Sequence, residues 1–258
     1  MSVTNQEEWT LSGSLIMRVV FGVALIFSLF QVVTATFSPI GTQVVRAVHV
    51  GFLCFLVMLT FPGRFRILSF LIGLAALFAA AYQWVFEGDL IFRAGDLNTI
   101  DLWVGAIAVI IVFDAARRLM GWALPMICLA FLLYAMFGNY LPLPLGHRGY
   151  SLDQIIEQLG HGMEGIYGVP TYVSSSYIFL FILFGTFLES AGMIRLFTDF
   201  AMGTVGHTRG GPAKVAVVSS GLMGTINGSG VANVVTTGQF TIPLMKRFGF
   251  SSAFAGGT

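Results

Sequence analysis

The sequence predicts an all-α, polytopic helical membrane protein with about six transmembrane helices, interfacial helices and a C-terminal re-entrant hairpin. Three observations predict it. Hydrophobic residues make up 56% of the 258, charged residues only 10%, and the mean hydropathy is +0.86; soluble domains carry about 25% charged residues. The apolar segments are long and continuous rather than alternating, which argues against an outer-membrane barrel. Finally, residues 219–240, SSGLMGTINGSGVANVVTTGQF, hold five glycines and nine Ser, Thr, Asn or Gln with no charge at all, between apolar flanks.

Each span follows from length, since crossing a hydrocarbon core of about 30 Å takes about 20 apolar residues. Five runs meet or approach this before residue 145: Leu15–Val33, Val44–Phe61, Ile67–Phe86, Leu102–Phe113 with its flanks, and Trp122–Leu141. The first is too long for a signal-peptide core of about 7–15 residues and follows Glu7 and Glu8, so it reads as an uncleaved helix. Next comes SLDQIIEQLGHGMEGIYG, whose Leu152, Ile155, Ile156 and Leu159 recur at helical spacing and predict an interfacial helix. Tyr172–Leu188 is the sixth span.

Loop charge orients the chain. Arg64 and Arg66, Arg117 and Arg118, Arg209 and Lys214, and Lys246 and Arg247 alternate with acidic or proline-rich loops on the opposite side. The positive-inside rule makes the basic side cytoplasmic and puts the N-terminus there. A change of texture after Gly121, toward longer loops and more glycine, divides the chain into residues 1–119 and 120–258.

The uncharged stretch is too short to span twice. Its arms, Ala213–Ile226 and Val231–Lys246, each reach about 21–24 Å, and both are flanked by cytoplasmic-type charge. The chain therefore reads as entering the membrane over residues 213–246, turning at Asn227–Gly228–Ser229–Gly230 and returning; a tightly packed kinked helix is the alternative. Such a tip needs a cavity or a protein surround, because lipid cannot satisfy free backbone groups. Its carbonyls, with Ser220, Asn227, Ser229, Asn233, Thr236 and Thr237, form an oxygen-rich, charge-free surface suited to Na⁺. The positive end of the returning helix suits an anion.

The stretch SSGLMGTINGSGVANVVTTGQFTIPLMKRFGF, with GMEGIYGVPTYVSSSYIFLFILFG and LESAGMIRLFTDFA, resembles the first hairpin region of the large membrane subunit of TRAP (tripartite ATP-independent periplasmic) transporters. More specifically, it resembles the fused permeases that work with TAXI-type binding proteins, which join a four-helix small subunit to a large one of about twelve. The resemblance implies that residues 1–119 are a small-subunit-like scaffold and 120–258 the start of the transport subunit. It further implies Na⁺-driven import of an organic acid anion delivered by a periplasmic binding protein, with Na⁺ as the coupling ion and no other cofactor. Ion and substrate binding then fall to Ser220, Asn227, Gly228, Ser229, Gly230, Asn233, Thr236 and Thr237. The family often writes serines around the tip glycine; two are replaced here, so Ser229 with backbone carbonyls is the expected Na⁺ ligand. The family continues past this point into a second hairpin, so the chain is expected to be a truncated N-terminal portion, inactive in transport alone.

Other residues have plainer readings. Asp114 precedes Arg117 by three, an intrahelical pair. Arg18 and Arg46 can snorkel, Glu189 reads as interfacial, and His49 as a packed or carbonyl-bonded histidine. His147, His161 and His207 read as loop or interface residues without metal spacing, and Trp9, Trp84, Trp103 and Trp122 as interfacial anchors. Cys54 and Cys128 read as reduced packing residues. The net charge of +1 with no basic run argues against nucleic acid. Gly228–Ser229–Gly230 is not a nucleophile elbow, and no histidine occurs in or after the hairpin to serve as a base, so a hydrolase is the weakest class. A non-transporting scaffold or assembly fragment is the other alternative.

Overall fold

Amide groups in lipid must bond within their own helix, so each apolar run of about 20 residues folds as one helix with its side chains left to find partners. The structure, a computed structural model, describes residues 11–37, 40–142, 144–226 and 230–258. The expected anchor Trp9 and the tip residues Asn227, Gly228 and Ser229 lie outside the described residues, as does the side chain of Thr236. In chain order the helices are α1 (Leu11–Phe37), α2 (Thr42–Thr60), α3 (Arg66–Val85), α4 (Glu87–Phe92), α5 (Thr99–Met120), α6 (Ala123–Phe137) and α7 (Leu152–Gly160). There follow α8 (Val169–Val173), α9 (Phe179–Ser190), α10 (Met193–Val205), α11 (Gly211–Gly224), α12 (Gly230–Arg247) and α13 (Ser252–Gly257). No strand occurs among the described residues.

Among the described residues, six helical runs are long and apolar enough to cross a membrane: Ile16–Phe37, Thr42–Thr60, Arg66–Val85, Thr99–Met120, Ala123–Tyr140 and Val169–Ser190. Each matches a predicted span to within a few residues. The last is wound α8, then a π turn at Ser174–Ile178, then α9. The protein is thus an all-α, multi-pass membrane protein. It forms two compact units, Met1–Tyr177 and Ile178–Thr258.

The first unit packs α2 against α3 and α5 around Cys54, Met58, Ala76, Ile111 and Ala115. Polar side chains inside the unit close on one another. Gln31 on α1 donates to His49 Nδ1 at 2.5 Å, leaving His49 Nε2–H to donate to Ser174 Oγ at 3.0 Å. His49 is packed as expected, with Gln31 and Ser174 among the partners of its ring. Arg46 does not snorkel: its guanidinium donates to the Tyr167 carbonyl at 2.8 Å and lies over the Tyr172 ring. Asp114 pairs with Arg117 as expected, at 2.5 Å, and also with Arg118 at 2.8 Å. Cys54 is buried, whereas Cys128 is exposed rather than packed.

The predicted amphipathic segment forms α7, started by a Ser151–Gln154 capping box and half-buried against α5. The approach is close enough to require glycine on both sides: a Cβ on Gly160 would sit 2.7 Å from Gly105 Cα. This contact delivers His161 to a buried polar knot, so it is not the loop or interface residue the sequence led us to expect. Gln83 donates to both the Gly160 carbonyl, at 3.0 Å, and His161 Nδ1, at 2.6 Å, while His161 Nε2–H donates to the Asp101 carbonyl at 2.8 Å. Both ring nitrogens are therefore occupied in the neutral tautomer. Burial pushes the His161 imidazole below its ordinary value, outweighing the Asp101 carbonyl and the charges of Asp101 and Glu157, which favour the proton.

This sets a pH dependence. An unfolded histidine takes a proton near pH ~6.5, whereas folded His161 resists it, so below that value the unfolded chain binds more protons and stability falls with pH. Thermal unfolding of the detergent-solubilised protein is expected to shift to lower temperature as pH drops below about 6.5. His161→Gln, which cannot titrate, should give a shallower slope; an unchanged slope would show that His161 is not a source of it.

Candidate functional site

A helix-breaking Gly/Asn/Ser run between two helix-forming arms should fold as a hairpin, and in the second unit it does. α11 and α12 lie against each other in opposite directions, since Asn233 reaches Ser220 near one end while Met245 meets Ala216 near the other. The arms, 14 and 18 residues long, measure about 21 and 27 Å, short of a full crossing. Their bounds agree with the predicted arms to within two residues. α11 starts after Gly210, held at φ 72°, with proline in its first turn. α12 ends on Lys246 and Arg247, where cations complement the negative end of the helix dipole.

At the base, Ala216, Met245 and Ala255 form a small core with Ala213, Ile242 and Phe250. Toward the tip the contacts turn polar. The Asn233 amide donates to both the carbonyl and the hydroxyl of Ser220, each at 3.1 Å. Two of the predicted site residues are thus joined to each other and set the register of the arms. Thr237, 7% exposed, donates to the Asn233 carbonyl at 2.7 Å, and buried Thr241 to the Thr237 carbonyl at 3.0 Å. Ser219 donates to the Ala216 carbonyl at 3.3 Å, and Thr225 to the Leu222 carbonyl at 2.7 Å. Each of these hydroxyl protons goes to its own helix, which leaves oxygen lone pairs for anything that approaches. Gly230 opens α12 and is exposed.

Electrostatically, the tip joins the negative end of α11 to the positive end of α12, each worth about half an elementary charge. Pro243 within α12 removes one amide donor from that arm. α9 comes close to the end of the first arm: a Cβ on Gly185 would lie 3.2 Å from the Ile226 carbonyl. Glu189, at the end of α9, is half-buried rather than open, and its Oε1 has no hydrogen-bond partner among the described residues. No group of three or more His, Cys, Asp or Glu that could hold a metal occurs among the described residues.

What sequence reading missed lies in the first unit. Asp101, Tyr82, Gln83 and His161 form a buried cluster, signalled only by polar residues inside or beside apolar runs.

Residues 107–258 match the family model described as tripartite ATP-independent periplasmic transporter, DctM component. The C4-dicarboxylate TRAP transporter large permease protein DctM of Pseudomonas aeruginosa is 40% identical over 77 residues, 30% of this chain and 18% of that protein. Its Vibrio cholerae counterpart is 33% identical over 113 residues, 44% of this chain and 24% of that protein. The 2,3-diketo-L-gulonate TRAP transporter large permease protein YiaN of Escherichia coli is 30% identical over 66 residues, 26% of this chain and 16% of that protein. The matches thus cover about a quarter or less of these curated relatives. These relatives are permease proteins, not enzymes. No solved structure matches.

The Asn233–Ser220 pair makes a direct prediction about the hairpin. Asn233→Ala should cost about 1–3 kcal/mol by leaving the Ser220 groups without their donor. Asn233→Asp should cost more, because a carboxylate of the same shape meets the Ser220 carbonyl with no proton to give. Thermal unfolding of the two variants checks the order; equal stabilities would mean the pair does not hold the arms.

Proposed function

The chain belongs to the DctM family of tripartite ATP-independent periplasmic transporters, and from that premise we propose that it works as membrane permease machinery in a Na⁺-driven importer of organic acid anions. The observation that carries this reading is the α11–α12 hairpin, whose arms are too short to span and whose polarity is all neutral oxygen, amide and helix end. A hard monovalent cation is suited by uncharged oxygens, and a carboxylate by the N-terminal end of a half-helix, so one broken element can serve both. In this reading the hairpin enters the inner membrane from the cytoplasm. Ser229 and the tip carbonyls, including those of Asn227, Gly228 and Gly230, take Na⁺. Ser220, Asn233, Thr236 and Thr237 hold the arms and line the approach.

Substrate class follows from chemistry that relatives share by name: a C4-dicarboxylate in one case, 2,3-diketo-L-gulonate in another. Both are carboxylates. A periplasmic binding protein, of the TAXI type in our reading, would deliver the anion to the outer face. The first four spans, α1, α2, α3 and α5, would act as a fused small-subunit-like scaffold with the N-terminus in the cytoplasm, as the Arg-rich loops favour.

Uptake by the complete permease with its binding protein, reconstituted in proteoliposomes, is expected to depend on an inward Na⁺ gradient. Ser229→Ala should slow it by about tenfold, as losing one good ligand of about 1.4 kcal/mol would. Uptake that ignores Na⁺ and follows a proton gradient would overturn the sodium assignment.

A further inference from the structure

We infer that the first unit carries a binding site for an anionic phospholipid on its Arg-rich side, in the groove between α3 and α5. The groove encloses about 510 Å³. Its walls are apolar: Leu68 and Ile72 on α3 and Ile107 and Ile110 on α5, at spacings that place each pair on one helix face. Leu68, Ile107 and Ile110 are 54%, 41% and 67% exposed, so the slot opens outward toward lipid rather than into the core. From Leu68 to Ala75 the slot runs about 10 Å along α3, long enough to lay down a stretch of acyl chain.

The rim is basic and built. Arg118, with a side chain only 9% exposed, is held by Asp114, by the Phe61 carbonyl at 2.8 Å and by Ser69 Oγ at 3.0 Å. Ser69 Oγ also receives the Gly63 amide at 3.0 Å, which clips the α2–α3 turn to the end of α5. Arg117 is braced between Asp114 and the face of Trp122, 5.3 Å from its ring centre. Arg64 completes the rim and has no ion pair or hydrogen bond among the described residues. Three arginines thus face a single carboxylate, leaving excess positive charge beside an outward-facing slot within a membrane-spanning region.

The occupant has to satisfy both halves. A soluble anion matches the rim but leaves the slot empty, and a zwitterionic lipid fills the slot without answering the charge. A phospholipid with a net negative headgroup does both, as basic pockets between membrane helices on the cytoplasmic side generally do for such lipids.

The test titrates phosphatidylglycerol and phosphatidylcholine of identical acyl chains onto the full chain in detergent, counting bound lipid by native mass spectrometry. Phosphatidylglycerol is expected to be retained preferentially, and excess inorganic phosphate to leave it in place. Arg64→Gln should weaken phosphatidylglycerol by about fivefold, the worth of one arginine near an anionic headgroup, and leave phosphatidylcholine unchanged. Because Arg64 has no described structural partner, that variant should unfold at the wild-type temperature. Ile107→Trp, which fills the slot from its exposed side, should weaken both lipids. Equal retention of the two lipids, an unaffected Arg64→Gln, displacement by inorganic phosphate, or an Ile107→Trp variant that binds as before would each overturn the site.

Discussion

Asp101 has no exposed surface, and much of one end of the first unit is arranged around it. A carboxylate removed from water is tolerable only if each oxygen is met. Tyr82 donates to Oδ1 at 2.5 Å, Arg93 approaches the same oxygen at 3.4 Å, and the Asn98 amide donates to Oδ2 at 3.1 Å. The residue's own amide caps on Asn98, and its carbonyl receives His161. α3, the turn after α4, the start of α5 and the end of α7 are thus all tied to one residue. The Gly105–Gly160 approach is what brings the last of these ties within reach, and the amphipathic face of α7 is what holds it there.

The hairpin of the second unit obeys the same rule by opposite means. It contains no charge between Lys214 and Lys246, and its hydroxyls turn back onto carbonyls of their own arms. Where the first unit satisfies buried charge with long-range partners, the hairpin satisfies mild polarity locally and leaves its surface rich in acceptors. The contrast separates a part tied together across long sequence distances from a part whose bonds stay within one hairpin.

These two strategies also decide what could be read in advance. The spans were legible because lipid thickness imposes a run length, and Thr42–Thr60 or Arg66–Val85 carries that length openly. The hairpin was legible because glycine-rich polarity between apolar arms is a local pattern, as is the intrahelical Asp114–Arg117 pair. The knot at Asp101 was not, since Gln83 and His161 are 78 residues apart and neither announces the other. For the same reason Arg46 looked like a snorkelling side chain: its partner carbonyl, on Tyr167, belongs to a distant turn. The candidate site is half resolved by this logic. Ser220, Asn233 and Thr237 have partners within one hairpin, whereas the tip depends on residues 227–229, where local pattern says that the chain turns and nothing about where its oxygens point.

The two glutamine–histidine pairs have an electrical consequence. In both His49 and His161 an amide proton fills one ring nitrogen while the other gives its proton to an oxygen, so neither ring can load a proton on one side and discharge it on the other without first losing a glutamine. Moving one charge through a potential of 100 mV is worth about 2.3 kcal/mol, a steady pull on any group able to shuttle protons. At both positions, taking up a proton would first cost the ring its glutamine hydrogen bond.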